Sequence, residues 1–158
     1  MMIGIDCGIA ITGWAIMKRG KNRRLKNIGV VDYGVIETKA GCKLETRLDC
    51  LYKDLLDIIE EYKPDQAAVE SLFYFKNQKT VINVAQARGV TLLALERSGL
   101  EIYHYTPLQV KQAVTGYGKA TKKQMQKMVK SILELKSIPK PDDAADALAI
   151  GVCHLNSI

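Results

Sequence analysis

The order in which the apolar pattern changes period restricts the fold of this chain more than any other feature. Met2 to Ile5 is a short apolar run that meets Asp6, Cys7-Gly8 reads as a turn, and the run resumes from Thr12 to Met17. Short runs bounded by turn residues fit strands, so the chain opens with a hairpin carrying an acid at its tip. Ile28 to Thr38 mixes β-branched, aromatic and glycine residues without helical spacing and adds a third antiparallel strand. Leu44, Leu48, Leu51, Leu55, Ile58, Ile59 and Tyr62 then recur at spacings of three and four with charges between them, up to Pro64. This is an amphipathic helix, ended where proline removes a donor. Gln66 to Glu70 and Glu101 to Tyr105 read as inner strands, the first ending in a carboxylate and the second running toward Pro107. Helical patterns fill Gln78 to Glu96, Leu108 to Val114 and Thr121 to Leu135, and a last one, Asp142 to Leu155, follows the breaker Pro139-Lys140-Pro141.

Three meandering strands followed by alternating helix and strand describe an α/β protein with a mixed five-stranded sheet flanked by helices, the order of the ribonuclease-H-like architecture. No repeat, low-complexity tract or linker interrupts that order, and 158 residues suit one core, so residues 1–158 are read as a single domain.

A net charge of +6 favours an anionic partner, nucleic acid or an acidic membrane surface. Cys7, Cys42, Cys50 and Cys153 form no C-x-x-C pair and accompany only two histidines, which leaves a structural zinc site without ligands. The first residues reach Asp6 too soon for a signal-peptide apolar stretch, and no later run has transmembrane length. The expectation is a cytoplasmic protein with reduced thiols and no membrane partner.

Asp6 ends the first strand and Glu70 the fourth, and in an open α/β sheet the carboxyl ends of neighbouring strands share one crevice. Asp143 and Asp146 lie three apart at the start of the last helix, where the helix dipole favours carboxylates. All four can therefore meet. Taken singly, each has a plainer reading: Asp142 or Asp143 as an N-cap, Asp6 or Glu70 as a solvated strand end. Gathered together they repel one another and need protons or cations for neutrality. An all-oxygen cluster suits Mg²⁺, with Mn²⁺ as a substitute. Two such ions roughly 4 Å apart can activate water and stabilise the departing oxygen of a phosphodiester.

Several segments, in order, resemble the RuvC family of Holliday-junction resolvases. They are Gly4-Ile5-Asp6-Cys7-Gly8-Ile9-Ala10-Ile11-Thr12-Gly13-Trp14, Val69-Glu70-Ser71-Leu72-Phe73, Gln86-Ala87-Arg88-Gly89, Gln109-Val110-Lys111-Gln112 and Asp143-Ala144-Ala145-Asp146-Ala147-Leu148-Ala149. The ordered set spans nearly the whole chain and is far more specific than any one motif. The resemblance implies a ribonuclease-H-like homodimer that binds four-way DNA junctions and nicks two opposing strands symmetrically with Mg²⁺, in recombination and DNA repair. It also implies a branch-migration helicase complex as partner. Its catalytic and metal-binding acids are Asp6, Glu70, Asp143 and Asp146, with two ions per active site. Cys7 departs from the family's usual proline, which would stiffen the turn after Asp6.

Lys111, Lys119, Lys122, Lys123, Lys127 and Lys130 surround Gly116-Tyr117-Gly118. A solvated helix face accounts for Lys127 and Lys130. Lysines near a flexible glycine turn also meet phosphates, and the family match singles out Lys111 and Lys122 for DNA at the active-site edge. Phe73-Tyr74-Phe75 gathers aromatics in a chain that is only 6% aromatic. Core packing accounts for at least one of them. Phe73 occupies the matching family position for a ring that stacks in an opened junction.

Two other classes compete. Gly-Ile-Asp-x-Gly with a later Thr-Gly also resembles the phosphate loop of actin and sugar-kinase ATPases, but those close two such domains over a nucleotide and this chain supplies one. A catalytically silent DNA-binding subunit would be served by the charge alone and would not need four acids.

Overall fold

The computed structural model describes residues 1–20, 28–71 and 78–158. One sheet organises them. β1 (Met2–Asp6), β2 (Ile11–Arg19) and β3 (Ile28–Glu37) form an antiparallel meander, and β4 (Gln66–Glu70) and β5 (Glu101–Tyr105) add in parallel on the other side, in spatial order β3-β2-β1-β4-β5. The mixed five-stranded sheet expected from the sequence is present.

Both faces of the sheet are covered, and alternate residues serve alternate faces. Ile3, Ile5, Ile16, Ala67 and Val69 pack on one side against Leu51, Leu55 and Ile59 of α1 (Leu44–Tyr62) and Ala87, Ala94 and Leu95 of α2 (Gln78–Arg97). Met2, Ala15, Met17 and Ala68 pack on the other against α3 (Pro107–Thr115), α4 (Lys122–Ile132) and α5 (Asp142–Ser157). Each large aliphatic side chain buried this way contributes roughly 1.5–3 kcal/mol.

α5 lies directly on the strands, with α3 and α4 packed against it, so residues all round it are buried from Ala144 to Leu155 except Asp146. Its approach requires glycine. A Cβ on Gly13 would come within 2.0 Å of the Asp143 carbonyl oxygen, and one on Gly4 within 2.5 Å of the Ala147 carbonyl oxygen. Near its far end, buried His154 faces Tyr105 Oη at 2.9 Å through Nδ1 and Gln66 Oε1 at 3.2 Å through Nε2, which ties α5 to β4 and β5.

Two points of the sequence reading change. α4 stops at Ile132, because Glu134 turns left-handed at φ 52° and the Leu135 amide returns to the Lys130 carbonyl. The apolar period continues past that point because Leu133 and Leu135 still pack on the core. Neither Asp142 nor Asp143 caps α5: the cap position is Pro141, and both acids lie in the first helical turn. The N-cap alternative is thereby corrected. No helix among the described residues is long and apolar enough to cross a membrane.

Candidate active site

β1 and β4 are parallel neighbours with Ile5 opposite Val69, so Asp6 and Glu70 leave the sheet side by side at its carboxyl edge. α5 supplies the third wall. Asp6 pairs in register with Gly13, whose bare backbone admits the Asp143 carbonyl, and Asp146 follows one helical turn later. Asp6, Glu70 and Asp146 line one pocket with Lys111 of α3 and Lys122 of α4, backed by Val110, Met125 and Ile150. Asp143 is not in that lining, although its charge is felt at Asp6.

The electrostatics follow from this crowding. Burial, followed by repulsion from Asp146, Glu70 and Asp143, pushes the Asp6 carboxyl up to about 7. Burial and the Asp146 charge also raise Glu70, with Lys111 opposing them. Burial raises Asp146 against the opposing pull of Lys122. Burial alone would lower Lys122, but Asp146 and Asp142 outweigh it and hold the ammonium above its ordinary range. Lys122 Nζ lies 3.2 Å from Asp146 and 3.4 Å from Asp142. Asp142 also accepts from Gln126 Nε2 at 2.8 Å, so it faces α4 while Asp143 acts on Asp6.

This donor set fits a hard divalent cation in kind: carboxylate oxygens only, half-buried, and short of positive charge. It is not drawn tight. Among the described residues no three acids or other ligand side chains converge closely enough to grip an ion by themselves. The existing counter-charges are the Lys122 ammonium on Asp146 and Lys111 acting on Glu70.

Of the residues singled out in the sequence, Asp6, Glu70, Asp146, Lys111 and Lys122 share this pocket and Asp143 adjoins it, while Phe73 lies outside the described residues. The Gly116-Tyr117-Gly118 turn is hydrogen-bonded. Gly116 caps α3 at φ 70°, the Tyr117 amide donates to Thr115 Oγ1, and the Tyr117 carbonyl accepts from Thr115 Oγ1 and from the Ala120 amide.

The turn after Asp6 is held without proline. Thr12 Oγ1 donates to the Gly8 carbonyl at 2.5 Å, the Thr38 amide donates to the Ala10 carbonyl, and both Thr38 Oγ1 and Arg47 Nη2 donate to the Ile9 carbonyl. Cys7 itself is pushed up to about 12 by burial, so it is a neutral thiol in this turn. Arg88 is a residue whose role the sequence reading left unassigned. Its Nε donates to the Glu70 carbonyl at 3.2 Å and its Nη2 meets His104 Nδ1 at 3.0 Å, bracing the strand end that carries Glu70. Its place between core-facing Ala87 and Thr91 on α2 was the available signal.

Known proteins match this chain over nearly its whole length. The family model described as crossover junction endodeoxyribonuclease RuvC matches residues 2–154. A protein of that name from Halothermothrix orenii is 53% identical over 157 residues, 99% of this chain and 93% of the relative. One from Fusobacterium nucleatum is 54% identical over 157 residues, 99% of this chain and 80% of the relative. Among solved structures, T. thermophilus RuvC in complex with a Holliday junction substrate superposes with a TM-score of 0.90 at 31% identity, covering 99% of this chain and 93% of that one.

Proposed function

Because this chain belongs to the RuvC family of crossover junction endodeoxyribonucleases, it is a Holliday-junction resolvase, and we propose that it nicks two opposing strands symmetrically using Asp6, Glu70, Asp143 and Asp146 with Mg²⁺. The observation that carries the site assignment is the meeting of Asp6, Glu70 and Asp146 in one pocket beside Lys111 and Lys122. Bound among these carboxylates, one or two divalent ions would supply the charge that activates a water and stabilises the departing oxygen.

The remaining work falls to the chain's own side chains. The lysines draw the phosphodiester into a pocket whose acids alone would repel it. Lys122, already held at the pocket edge by Asp146 and Asp142, is placed to donate to a phosphate oxygen as charge builds there. Arg88 keeps the Glu70 strand end in register through the backbone. Phe73, by resemblance, stacks in the opened junction centre.

The proposed active form is a homodimer joined through α2. Ile82 and Leu93 on that helix are 60% and 50% exposed, and Ala85, Gln86 and Gly89 continue the same face between them at helical spacing. A two-fold pair would offer one pocket to each of two equivalent strands of a four-way junction. The proposed setting is the cytoplasm, in recombination and DNA repair, beside a branch-migration helicase.

Asp6→Asn tests the site assignment. It should abolish nicking of a synthetic four-way junction while leaving gel-shift affinity equal or slightly tighter, since a ligand is lost and a negative charge facing phosphate disappears. Near-parent nicking by the variant would remove Asp6 from the site.

A further inference from the structure

The pocket accounts for Lys111 and Lys122 but not for the aromatic residue between them in sequence. Tyr117 is 58% exposed, and every other tyrosine or tryptophan among the described residues is buried or half-buried. Exposing that ring is not a consequence of a loose turn, because its amide and its carbonyl are both hydrogen-bonded. The turn also folds back on α3: a Cβ on Gly118 would come within 2.4 Å of Leu108 Cδ1. Leu108, itself 55% exposed, sits between Pro107 and the Val110-Lys111 pair, which line the pocket. A ring on a hydrogen-bonded turn and an open leucine therefore lie beside the α3 wall of the acid pocket.

Charge identifies what such a border would meet. From Ile102 to Leu133 the chain has six lysines and no acid, whereas α1 has six acids against Arg47 and Lys53. A protein partner matched to this rim would need an acidic face with an aromatic-binding patch. A polyanion with flat apolar faces, a DNA strand with an unpaired base, satisfies both features at once.

We infer that Tyr117 is a DNA-contact residue, on which an unpaired nucleobase next to the scissile phosphate stacks while Lys111, Lys119 and Lys122 hold the flanking backbone. The inference rests on the reading of the acid pocket as the junction-nicking site. It adds a stacking residue on the α3–α4 side to the one that resemblance assigns to Phe73.

The test uses the full chain and a synthetic four-way junction with 2-aminopurine beside the nick. Single-turnover nicking in Mg²⁺ is measured for the parent, Tyr117→Phe and Tyr117→Ala, and emission is read in Ca²⁺ before cleavage. Tyr117→Phe should nick within about 2-fold of the parent, whereas Tyr117→Ala should lose roughly 5- to 100-fold, the range expected for one base–aromatic stack. Emission should be lower with the parent and Tyr117→Phe than with Tyr117→Ala, and all three should melt at the same temperature. If Tyr117→Ala nicks at the parental rate with parental emission, the stacking inference is overturned and the resolvase reading stands. An equal loss in Tyr117→Phe would assign the effect to the hydroxyl and also overturn stacking. If the parent fails to nick any junction, the reading of the pocket fails, and this inference with it.

Discussion

At Asp6, burial and three neighbouring acids act in one direction, and the consequence is visible without any substrate. The folded carboxyl titrates near 7 where an ordinary aspartate titrates near 4. Across that window the folded, metal-free protein binds more protons than the unfolded chain, so this residue makes stability fall as pH rises from about 4 to about 7. In EDTA, Asp6→Asn should therefore raise stability at pH 7 by on the order of 1–3 kcal/mol and flatten that part of the pH profile, as followed by thermal melts. An unchanged melting temperature at both ends of the window would mean that neither burial nor the neighbouring acids raise this carboxyl. Lys122 bears the opposite charge in the same pocket. Lys122→Ala should slow nicking by about 10-fold or more while weakening junction affinity by only a few-fold, because its contact is to charge that builds during the reaction. Equal losses in rate and affinity would reassign it to anchoring.

Strands and helices were legible because the sheet is covered on both faces and each helix buries one stripe, so period and breaker residues agreed along the chain. Convergence of Asp6 with Glu70 could be anticipated from two strand ends, and the position of Asp143 and Asp146 from one helix start. The Lys122–Asp146 pair, the Arg88 brace and the Thr38–Arg47 hold on the Ile9 carbonyl could not, since each joins elements whose packing the local pattern does not encode. The glycines at the α5 crossing belong to the same class. Gly13→Ala should push the start of α5 off β2, costing roughly 1–3 kcal/mol and lowering nicking far more than the stability loss explains, because it moves Asp143 and Asp146 away from Asp6. Circular dichroism melts and cleavage rates below the transition separate the two effects. On α2, Leu93→Glu places a charge in the proposed dimer face. Sedimentation should show a shift from dimer to monomer with the fold retained, and a dimer that persists would place the interface elsewhere.

At the scale of the molecule, charge differs sharply between α1 and the stretch that holds α3 and α4. α1 holds six acids, while the stretch from Ile102 to Leu133, which includes α3 and α4, holds six lysines and no acid. An anionic substrate is thereby steered toward the pocket side, and affinity for junction DNA should fall steeply between about 50 and 200 mM salt as phosphates are neutralised and counterions released. The proposed enzyme approaches DNA by its lysines and holds its catalytic ions with clustered carboxylates. The most direct measurement labels each of the four strands of a synthetic junction in turn and maps the nicks made by the parent and by Asp6→Asn, in Mg²⁺ and in EDTA, with linear duplex alongside. Paired nicks at symmetric positions on two opposing strands, dependent on Mg²⁺ and on Asp6, are the predicted result. Nicks that persist in EDTA or in Asp6→Asn, or equal cutting of linear duplex, would contradict it.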